Sequence, residues 1–431
     1  MILPLLAFLQ VATAQDTVPV VTLADALQRA ARLDPNYVAA AGQVSNAEWA
    51  RRAAFAVFLV PAVTLSANQT HYWPATFNFV TFTSTAPNTF AATIDARLDL
   101  FTGGQKLAGL ASSGATLDGA HAGELQARLT TAMNTESDFY SVLAQRALSR
   151  VADDRVHRAE QQFTVARARV TSGAAVQTDS LQLLLELAQA RVALLQQQSA
   201  LRTAQLQLGR RIGLPGPADA APVLDDSTTL RGLPFTVSDA VTRALSQGPA
   251  WRIARANERT ASAQLWSRRG DYLPHASLDF TGGAFDTDKF YPNAIRRSTL
   301  SLTVTFPLWN NGQREIQMSQ ARVNRDVARA IRADLERSAW HDVAAAYDAY
   351  ETSRATVALE QDAVLVAREN NRVQETRYRA GATTILDLLD AQNRLVSAEA
   401  DLVQALYNTR RARAGLEVIL GERITFDQGT P

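Results

Sequence analysis

The sequence predicts a mainly α-helical fold in which long antiparallel coiled-coil hairpins are combined with four β-strands. Three observations lead to this prediction. The chain contains two copies of one pattern, each copy has a helical stretch of about 67 residues, and each copy has two short segments in which apolar and polar residues alternate. An uninterrupted helical pattern of that length is typical of coiled coils, and alternation with a period of two is typical of strands.

The composition is that of a large folded protein. The chain has 431 residues, 47% of them hydrophobic, and 43 Lys and Arg against 42 Asp and Glu. It therefore lacks the basic excess that nucleic-acid binding requires. It also has no cysteine, which excludes disulfides, thiolate metal ligands and a lipid-modified cysteine. The five histidines show no ligand spacing, so we expect no metal and no cofactor. The balanced charge predicts that there is no nucleic-acid partner.

The N-terminal residues look like a secretory signal. An apolar run at 2–11 precedes the tripeptide ATA at 12–14, which has the form of a signal-peptidase site. We therefore predict that residues 1–14 are a signal peptide and that the chain is exported. The longest later apolar run, at 53–63, is shorter than the ~20 residues that a membrane-spanning helix needs.

The two copies are related by a nearly constant offset. Gly104 and Gly312 lie 208 residues apart, and so do Gly173 and Gly381. A two-copy repeat of this length indicates a duplicated architecture rather than a solenoid array. We place the first copy at 15–213, a linker rich in Pro, Gly and Asp at 214–236, the second copy at 237–421 and a C-terminal tail at 422–431.

Each copy has the same order of elements: a helix, two strands, a long helix, a glycine turn and a second helix. In the first copy a helix is predicted from Leu23 to Phe58, with Pro61 marking its end. The alternating segments then predict the strands, and Gly173 stops the long helix. The remaining elements of this copy are strands at about 61–70 and 89–101 and helices at about 105–171 and 175–212.

The second copy repeats this order, and in both copies a Gly-Gln pair marks the turn from strand to long helix. The second helix of each copy is about half as long as its long neighbour, so we expect two shorter helices to flank each long one. The linker should lie, as irregular structure, at the level where they meet. The turn residues are Gly104, Gln105, Gly312 and Gln313, and the elements are strands at about 274–282 and 298–306 and helices at about 313–380 and 383–420.

Four strands per chain leave an open sheet. Membrane β-structure must be closed, and bacterial barrels have at least eight strands. The alternation therefore fits either a soluble sheet with one polar face or a barrel to which two or three chains contribute strands.

Two aspartates, Asp387 and Asp390, lie in the segment YRAGATTILDLLD at 378–390. Residues three apart share one helix face, whereas a glycosidase-like pair must flank its substrate, so the spacing argues against an enzyme. Two carboxylates alone would hold Ca²⁺ or Mg²⁺ weakly, and a salt-bridged helix face is a further interpretation. Around an axis shared by several chains, the same acids would form a cation-selecting ring.

Together these features resemble the TolC-like outer membrane efflux protein family. The similarity rests on the duplicated element order, on prolines before the strands, on FTGGQ and LWNNGQ after them and on YRAGATTILDLLDAQNRL. The resemblance implies a homotrimer whose twelve strands, four per chain, form a barrel among the lipids of the cell outer membrane, with a helical tunnel in the periplasm. It implies a passive, non-enzymatic exit duct for efflux or type I secretion. Such a duct docks to a periplasmic adaptor and an inner-membrane pump of the RND, ABC or MFS class.

The resemblance also implies roles for residues near the hairpin tips. Asp387 and Asp390 match the acidic pore constriction of the family. Tyr378, Thr178 and Asp179 match its periplasmic gate. The remaining gate position, where some members carry an arginine, is Thr383 here, so we expect hydrogen bonds or apolar contacts in place of a salt bridge.

Small residues at both tips match the surface that meets the adaptor, although a tight turn by itself favours the same residues. An alternative to the channel is a periplasmic coiled-coil adaptor or scaffold without a pore, which would share the long hairpins. The expected docking residues are Ser172, Gly173, Ala174, Ala380, Gly381 and Ala382.

Overall fold

A computed structural model describes residues 18–73, 77–78, 83–84, 88–223, 231–286 and 294–424. The predicted signal peptide, residues 224–230 of the linker and the end of the C-terminal tail lie outside the described residues. The chain divides into two compact units. One comprises 1–39, 125–248 and 339–431, and the other 40–124 and 249–338.

The described residues form eight helices and eight strands in two similar series. The helices are α1 (Leu23–Leu33), α2 (Pro35–Ala56), α3 (Gln105–Thr171), α4 (Gln177–Arg211), α5 (Val237–Gln247), α6 (Pro249–Gly270), α7 (Gln313–Arg379) and α8 (Ile385–Leu420). The strands are β1 (Val20–Val21), β2 (Ala62–His71), β3 (Phe77–Asn78), β4 (Thr83–Ser84), β5 (Asn88–Thr102), β6 (Asp219–Ala220), β7 (His275–Asp286) and β8 (Ile295–Thr305).

The structure corrects the prediction of a single helix from Leu23 to Phe58. Asp34 is extended, with ψ 118°, because the ring of Pro35 disfavours the helical conformation for the residue before it. The Asp34 carboxylate then accepts a hydrogen bond from the backbone N–H of Asn36 at 2.9 Å, so the residue that ends α1 also caps α2. The second copy breaks in the same way between α5 and α6.

The main sheet has the order β2-β5-β7-β8, and all its pairs are antiparallel. Each copy supplies one hairpin, and the pairing of β5 with β7 joins them. β2 and β8 are therefore the two edges, and neither has a partner on its outer side among the described residues. In a single chain the sheet stays open.

The two faces of this sheet differ in polarity. On one face Leu300 lies opposite Phe280 and is 67% exposed. On the other face the Thr281 hydroxyl donates to the Asp95 carboxylate at 2.7 Å, and the Ser277 hydroxyl donates to the Asp279 carboxylate at 2.7 Å. An exposed apolar face opposite a hydrogen-bonded polar face is the pattern of a sheet between lipid and water.

The linker, predicted as irregular, contains strand β6, which pairs in parallel with β1. The N–H of Ala221 donates to the Val21 carbonyl at 2.8 Å. Arg146 of α3 forms an ion pair with Asp219 and donates to the Ala220 carbonyl at 2.7 Å. This short sheet packs on a buried cluster that includes Phe139, so it ties the start of the chain to the linker.

The turn into α3 requires glycine at two positions. Gly103 has φ 60° and Gly104 has φ 85°, a region that L side chains avoid. A Cβ at Gly103 would also lie 2.3 Å from the Gly270 carbonyl oxygen. The Gln105 amide donates to the Asp271 carboxylate at 2.5 Å, which fastens the start of α3 to the residue that follows α6.

The turn into α7 is built differently. Gly312 has φ 76°, but a Cβ there would meet open space. The backbone N–H of Gln313 donates to the Asn310 carbonyl at 3.2 Å. The strain of a side chain at this turn is therefore conformational alone.

These differences predict unequal effects of one substitution. Gly312→Ala should cost about 1–2 kcal/mol, because alanine resists the left-handed conformation. Gly103→Ala should cost more, since the same strain is added to a clash with the Gly270 backbone. The midpoint of thermal unfolding of the detergent-solubilised protein measures both. Equal losses for the two variants would contradict the close approach at Gly103.

A cation near the start of each long helix strengthens these turns. Lys106 donates to the carbonyls of Val57, at 2.8 Å, and Asp99. Its repeat equivalent, Arg314, donates to the Pro307 carbonyl at 2.9 Å and lies over the Tyr272 ring, 4.6 Å from its centroid. Both copies thus use a side chain from the helix to bind a backbone carbonyl in or just after the preceding strand.

Candidate functional site at the hairpin tips

The two hairpin tips have the same backbone geometry. Gly173 and Gly381 have φ 75° and 72°. The N–H of Ala174 donates to the Arg169 carbonyl, and that of Ala382 to the Arg377 carbonyl, each at 2.8 Å. Each of these hydrogen bonds spans six residues, as in the Schellman motif that ends a helix when the glycine adopts the left-handed conformation. All six predicted docking residues, Ser172, Gly173, Ala174, Ala380, Gly381 and Ala382, are exposed.

Asp387 closes a capping box at the start of α8. Its N–H donates to the Thr384 hydroxyl at 3.3 Å, and its carboxylate accepts from the Thr384 N–H at 3.2 Å. The hydroxyls of Thr384 and Thr383 also donate to that carboxylate, at 2.7 and 2.9 Å. These bonds, chiefly the one from the Thr384 hydroxyl, hold the pKa of Asp387 below its ordinary value. Thr383 therefore binds within its own hairpin.

Asp390 lies one turn further along α8. Its carboxylate accepts a hydrogen bond from Arg394 Nε at 2.8 Å. Both side chains are well exposed, so the pair is weak by itself. Asp387 and Asp390 are both exposed in one chain, which leaves their carboxylates available to face an axis between chains.

Tyr378 lies in the core of the tip rather than on its surface. Its side chain is 4% exposed and packs in a cluster with Leu183, Ile385 and Leu388, so both hairpins contribute to this core. Its hydroxyl is buried without a hydrogen-bond partner in the described part of the chain. Burial first, and then the negative charge of Asp179, raise the pKa of Tyr378.

The four predicted gate residues are placed differently. Tyr378 is buried between the hairpins, and Asp179, of the other hairpin, acts on it only through its negative charge, which helps to raise the pKa of Tyr378. Thr178 is exposed on the first turn of α4, and Thr383 binds Asp387 in its own hairpin.

Sequence reasoning missed Arg169. Its Nη1 donates to the Tyr378 carbonyl at 2.6 Å, and its guanidinium lies 5.2 Å from the centroid of the Tyr378 ring. Its Nη2 is 3.4 Å from the Ala174 carbonyl oxygen. A signal for Arg169 was present in the sequence, because an arginine, Arg377, occupies the equivalent position of the second copy. In the structure Arg377 donates to the Ala382 carbonyl at 3.3 Å.

The capping box predicts a pH dependence. The depressed pKa of Asp387 means that its stabilising effect is present above the unfolded-state value of about 4 and is lost as the pH falls through the folded-state pKa. The unfolding midpoints of wild type and Asp387→Asn should therefore differ at pH 7 and converge in acid.

Asp179→Asn is the matched control for this measurement. At the equivalent cap of α4, Val176 offers no hydroxyl and makes no side-chain cap. We expect Asp179→Asn to change the midpoint less at pH 7 than Asp387→Asn does. Equal changes in the midpoint for the two variants would show that the threonine hydroxyls at the cap of α8 do not contribute to the stabilising effect of Asp387.

In the part of the chain that the structure describes, no cluster of three or more His, Cys, Asp or Glu side chains is placed to bind a metal ion. None of the helices described there is both long and apolar enough to cross a membrane.

Comparisons with known proteins agree with the geometry. The family model for the outer membrane efflux protein matches residues 26–214 and 240–422. The chain is 28% identical over 306 residues to the outer membrane efflux protein BepC of Brucella suis, covering 67% of this chain and 62% of BepC. It is 25% identical over 285 residues to the toluene efflux pump outer membrane protein TtgC of Pseudomonas putida, covering 65% of this chain and 57% of TtgC. The matches thus span about three fifths of these curated relatives.

The fold also has a close counterpart among solved structures. The CmeC outer membrane channel of Campylobacter jejuni superposes with a TM-score of 0.79 at 15% identity, covering 93% of this chain and 85% of that one. At this identity the similarity shows the fold alone.

Proposed function

Because the chain belongs to the outer membrane efflux protein family, we propose that three copies form the exit channel of an efflux system in the cell outer membrane. The proposed channel is passive and non-enzymatic. It receives cargo from an inner-membrane pump of the RND, ABC or MFS class through a periplasmic adaptor. Type I secretion would use the same route. A water-filled duct carries what the pump delivers, so the pump selects the cargo.

The observation that carries this proposal is the open sheet. β2 and β8 are its edges, and the apolar face that includes Leu300 is exposed. Unpaired backbone groups are costly in lipid, so a membrane sheet must close. If β2 of one copy pairs with β8 of the next, three copies close a barrel of twelve strands.

The neighbouring helices support the same arrangement. α2 leads into β2 and α7 follows β8, so joining these edges in a ring brings α2 of one copy beside α7 of the next. α2 has a single buried residue, Ala47, while Trp49 is 65% exposed. α7 exposes Ile316, Val323 and Val327. These apolar surfaces would cover one another in the ring.

The hairpin tips give the proposed channel its entrance. Asp387 and Asp390 would form acidic rings that favour cations. Tyr378, Asp179, Thr178 and Thr383 would form the gate, and the exposed small residues of both tips would admit close approach of adaptor helices.

A periplasmic scaffold without a pore is the alternative, and the sheet argues against it. In a water-soluble scaffold, a sheet with two open edges and an exposed apolar face would promote aggregation.

Cysteine cross-linking tests the ring directly, because the chain has no cysteine of its own. Thr64→Cys on β2 would be combined in turn with Thr299→Cys, Ser301→Cys or Thr303→Cys on β8. Oxidation in native membranes should give covalent dimers and trimers for at least one pair. Thr64→Cys with Thr281→Cys is the control, since β7 is an interior strand. A chain that stays monomeric in every pair would overturn the proposal.

Planar-bilayer recording tests the acidic rings. The trimer should conduct with a preference for cations, and Asp387→Ala and Asp390→Ala should each reduce that preference, since each removes three carboxylates. Anion preference in the unmodified protein would remove the ring assignment but leave the channel standing.

A further inference from the structure

We propose that Arg169 is the latch that holds the two hairpin tips of one chain together and so keeps the proposed entrance narrow. The inference rests on the proposed function and adds a gate residue to it. The guanidinium bonds to both tips at once. It donates to the Ala174 carbonyl of the first tip and to the Tyr378 carbonyl of the second.

The geometry around this guanidinium is specific. A Cβ at Gly381 would lie 3.6 Å from Arg169 Nη2, so the side chain sits against the turn of the second hairpin. It also covers the ring of Tyr378, which is attractive for a cation. Here Nη1 and Nη2 each reach one carbonyl while the planar guanidinium lies over the ring, and the compact ammonium of a lysine lacks that planar fork.

Next to the tips, along the following turns of α3 and α8, the contact between the hairpins is more polar and less well satisfied. Arg155 reaches Asn393 at 3.4 Å, and Arg158 reaches Glu399 at 3.8 Å. Gln392, on α8, is buried with its amide nitrogen lacking a hydrogen-bond partner within the described residues. Buried polar groups that are partly satisfied weaken an interface relative to apolar packing, so at this end of the hairpins the tip cluster and Arg169 carry much of the attachment.

The chain supplies a matched control for Arg169. Arg377 is its repeat equivalent and donates to the carbonyl of its own turn, Ala382, at 3.3 Å. Both arginines therefore close their own turn, but within the described residues it is Arg169 that also bonds to the other hairpin. Arg377→Ala removes turn closure and a positive charge that acts on Asp387, while Arg169→Ala removes turn closure and the latch.

Single-channel recording of the purified trimer is the first test. Losing a charge-assisted hydrogen bond should shift the ratio of open to closed tips about tenfold. Arg169→Ala should therefore raise the mean conductance more than Arg377→Ala does, and Arg169→Lys should lie between wild type and Arg169→Ala. Equal conductance for Arg169→Ala and Arg377→Ala would overturn the latch.

Hydrogen exchange separates failure of the latch from failure of the channel. Arg169 lies on the first hairpin, so its removal should speed amide exchange in 385–392 of the second, while Arg377→Ala should leave that segment protected. If no variant conducts but exchange in 385–392 is faster in Arg169→Ala than in Arg377→Ala, the latch is supported and the proposed channel is wrong. If exchange in 385–392 is the same in both variants, the latch is wrong whatever the conductance.

Discussion

Replacing Leu300 by arginine is expected to prevent assembly of the proposed trimer in the outer membrane. Leu300 is the central residue of β8 and lies on the exposed apolar face of the sheet. An arginine on the lipid face costs about 2–4 kcal/mol near the middle of the bilayer, and the ring would contain three. Size-exclusion chromatography of detergent extracts and the amount of protein in the outer-membrane fraction measure the loss.

Thr299→Arg is the matched control, one residue away on the opposite face. Thr299 lies opposite Thr281, whose hydroxyl binds the Asp95 carboxylate. An arginine there would face water and a nearby acid, so the variant should remain trimeric. If Thr299→Arg fails and Leu300→Arg assembles, the two faces are assigned the wrong way round. If both assemble equally well, the sheet does not lie in lipid.

Phe139→Ala is the second substitution with a large expected effect. The Phe139 side chain is fully buried in the cluster that supports β1 and β6, and its ring meets that of Tyr140 edge to face, with centroids 5.7 Å apart. Truncating a buried phenylalanine to alanine costs about 3–5 kcal/mol, because contacts are lost and a cavity remains. The midpoint of thermal unfolding should fall accordingly.

A local measurement makes this prediction sharper. The amide of Ala221 is protected by its bond to the Val21 carbonyl, so Phe139→Ala should also accelerate exchange at that amide. Phe139→Leu is the control, since it keeps most of the buried volume and should cost much less. A Phe139→Ala protein as stable as Phe139→Leu would show that the cluster does not support β1 and β6.

The long elements could be predicted because their signals are local. Gln105–Thr171 and Gln313–Arg379 are helices because nothing in either stretch breaks the helical pattern. The alternation of β5 and β8 is visible without any partner strand. The break at Asp34 was also local, since a proline follows it, and counting the apolar pattern across Pro35 hid it.

The capping box of α8 was within reach of the sequence as well. Thr384 and Asp387 have the spacing of such a box, so Asp387 has a structural role beside the proposed one in the pore. The pairing of β1 with β6 was out of reach, because two residues carry no periodicity and the partners are some 200 positions apart.

By itself the sequence determined the duplication, the long helix and the following helix of each hairpin, the four strands of the main sheet, the positions of the tip glycines and the family, because each depends on residues close together in the chain. Only the tertiary structure decided that Tyr378 is buried between the hairpins and that Arg169 crosses from one hairpin to the other. The tertiary structure also decided the order of the strands in the main sheet, in which β2 and β8 are the edges. Those contacts join residues far apart in sequence, and their geometry depends on how whole helices and strands pack.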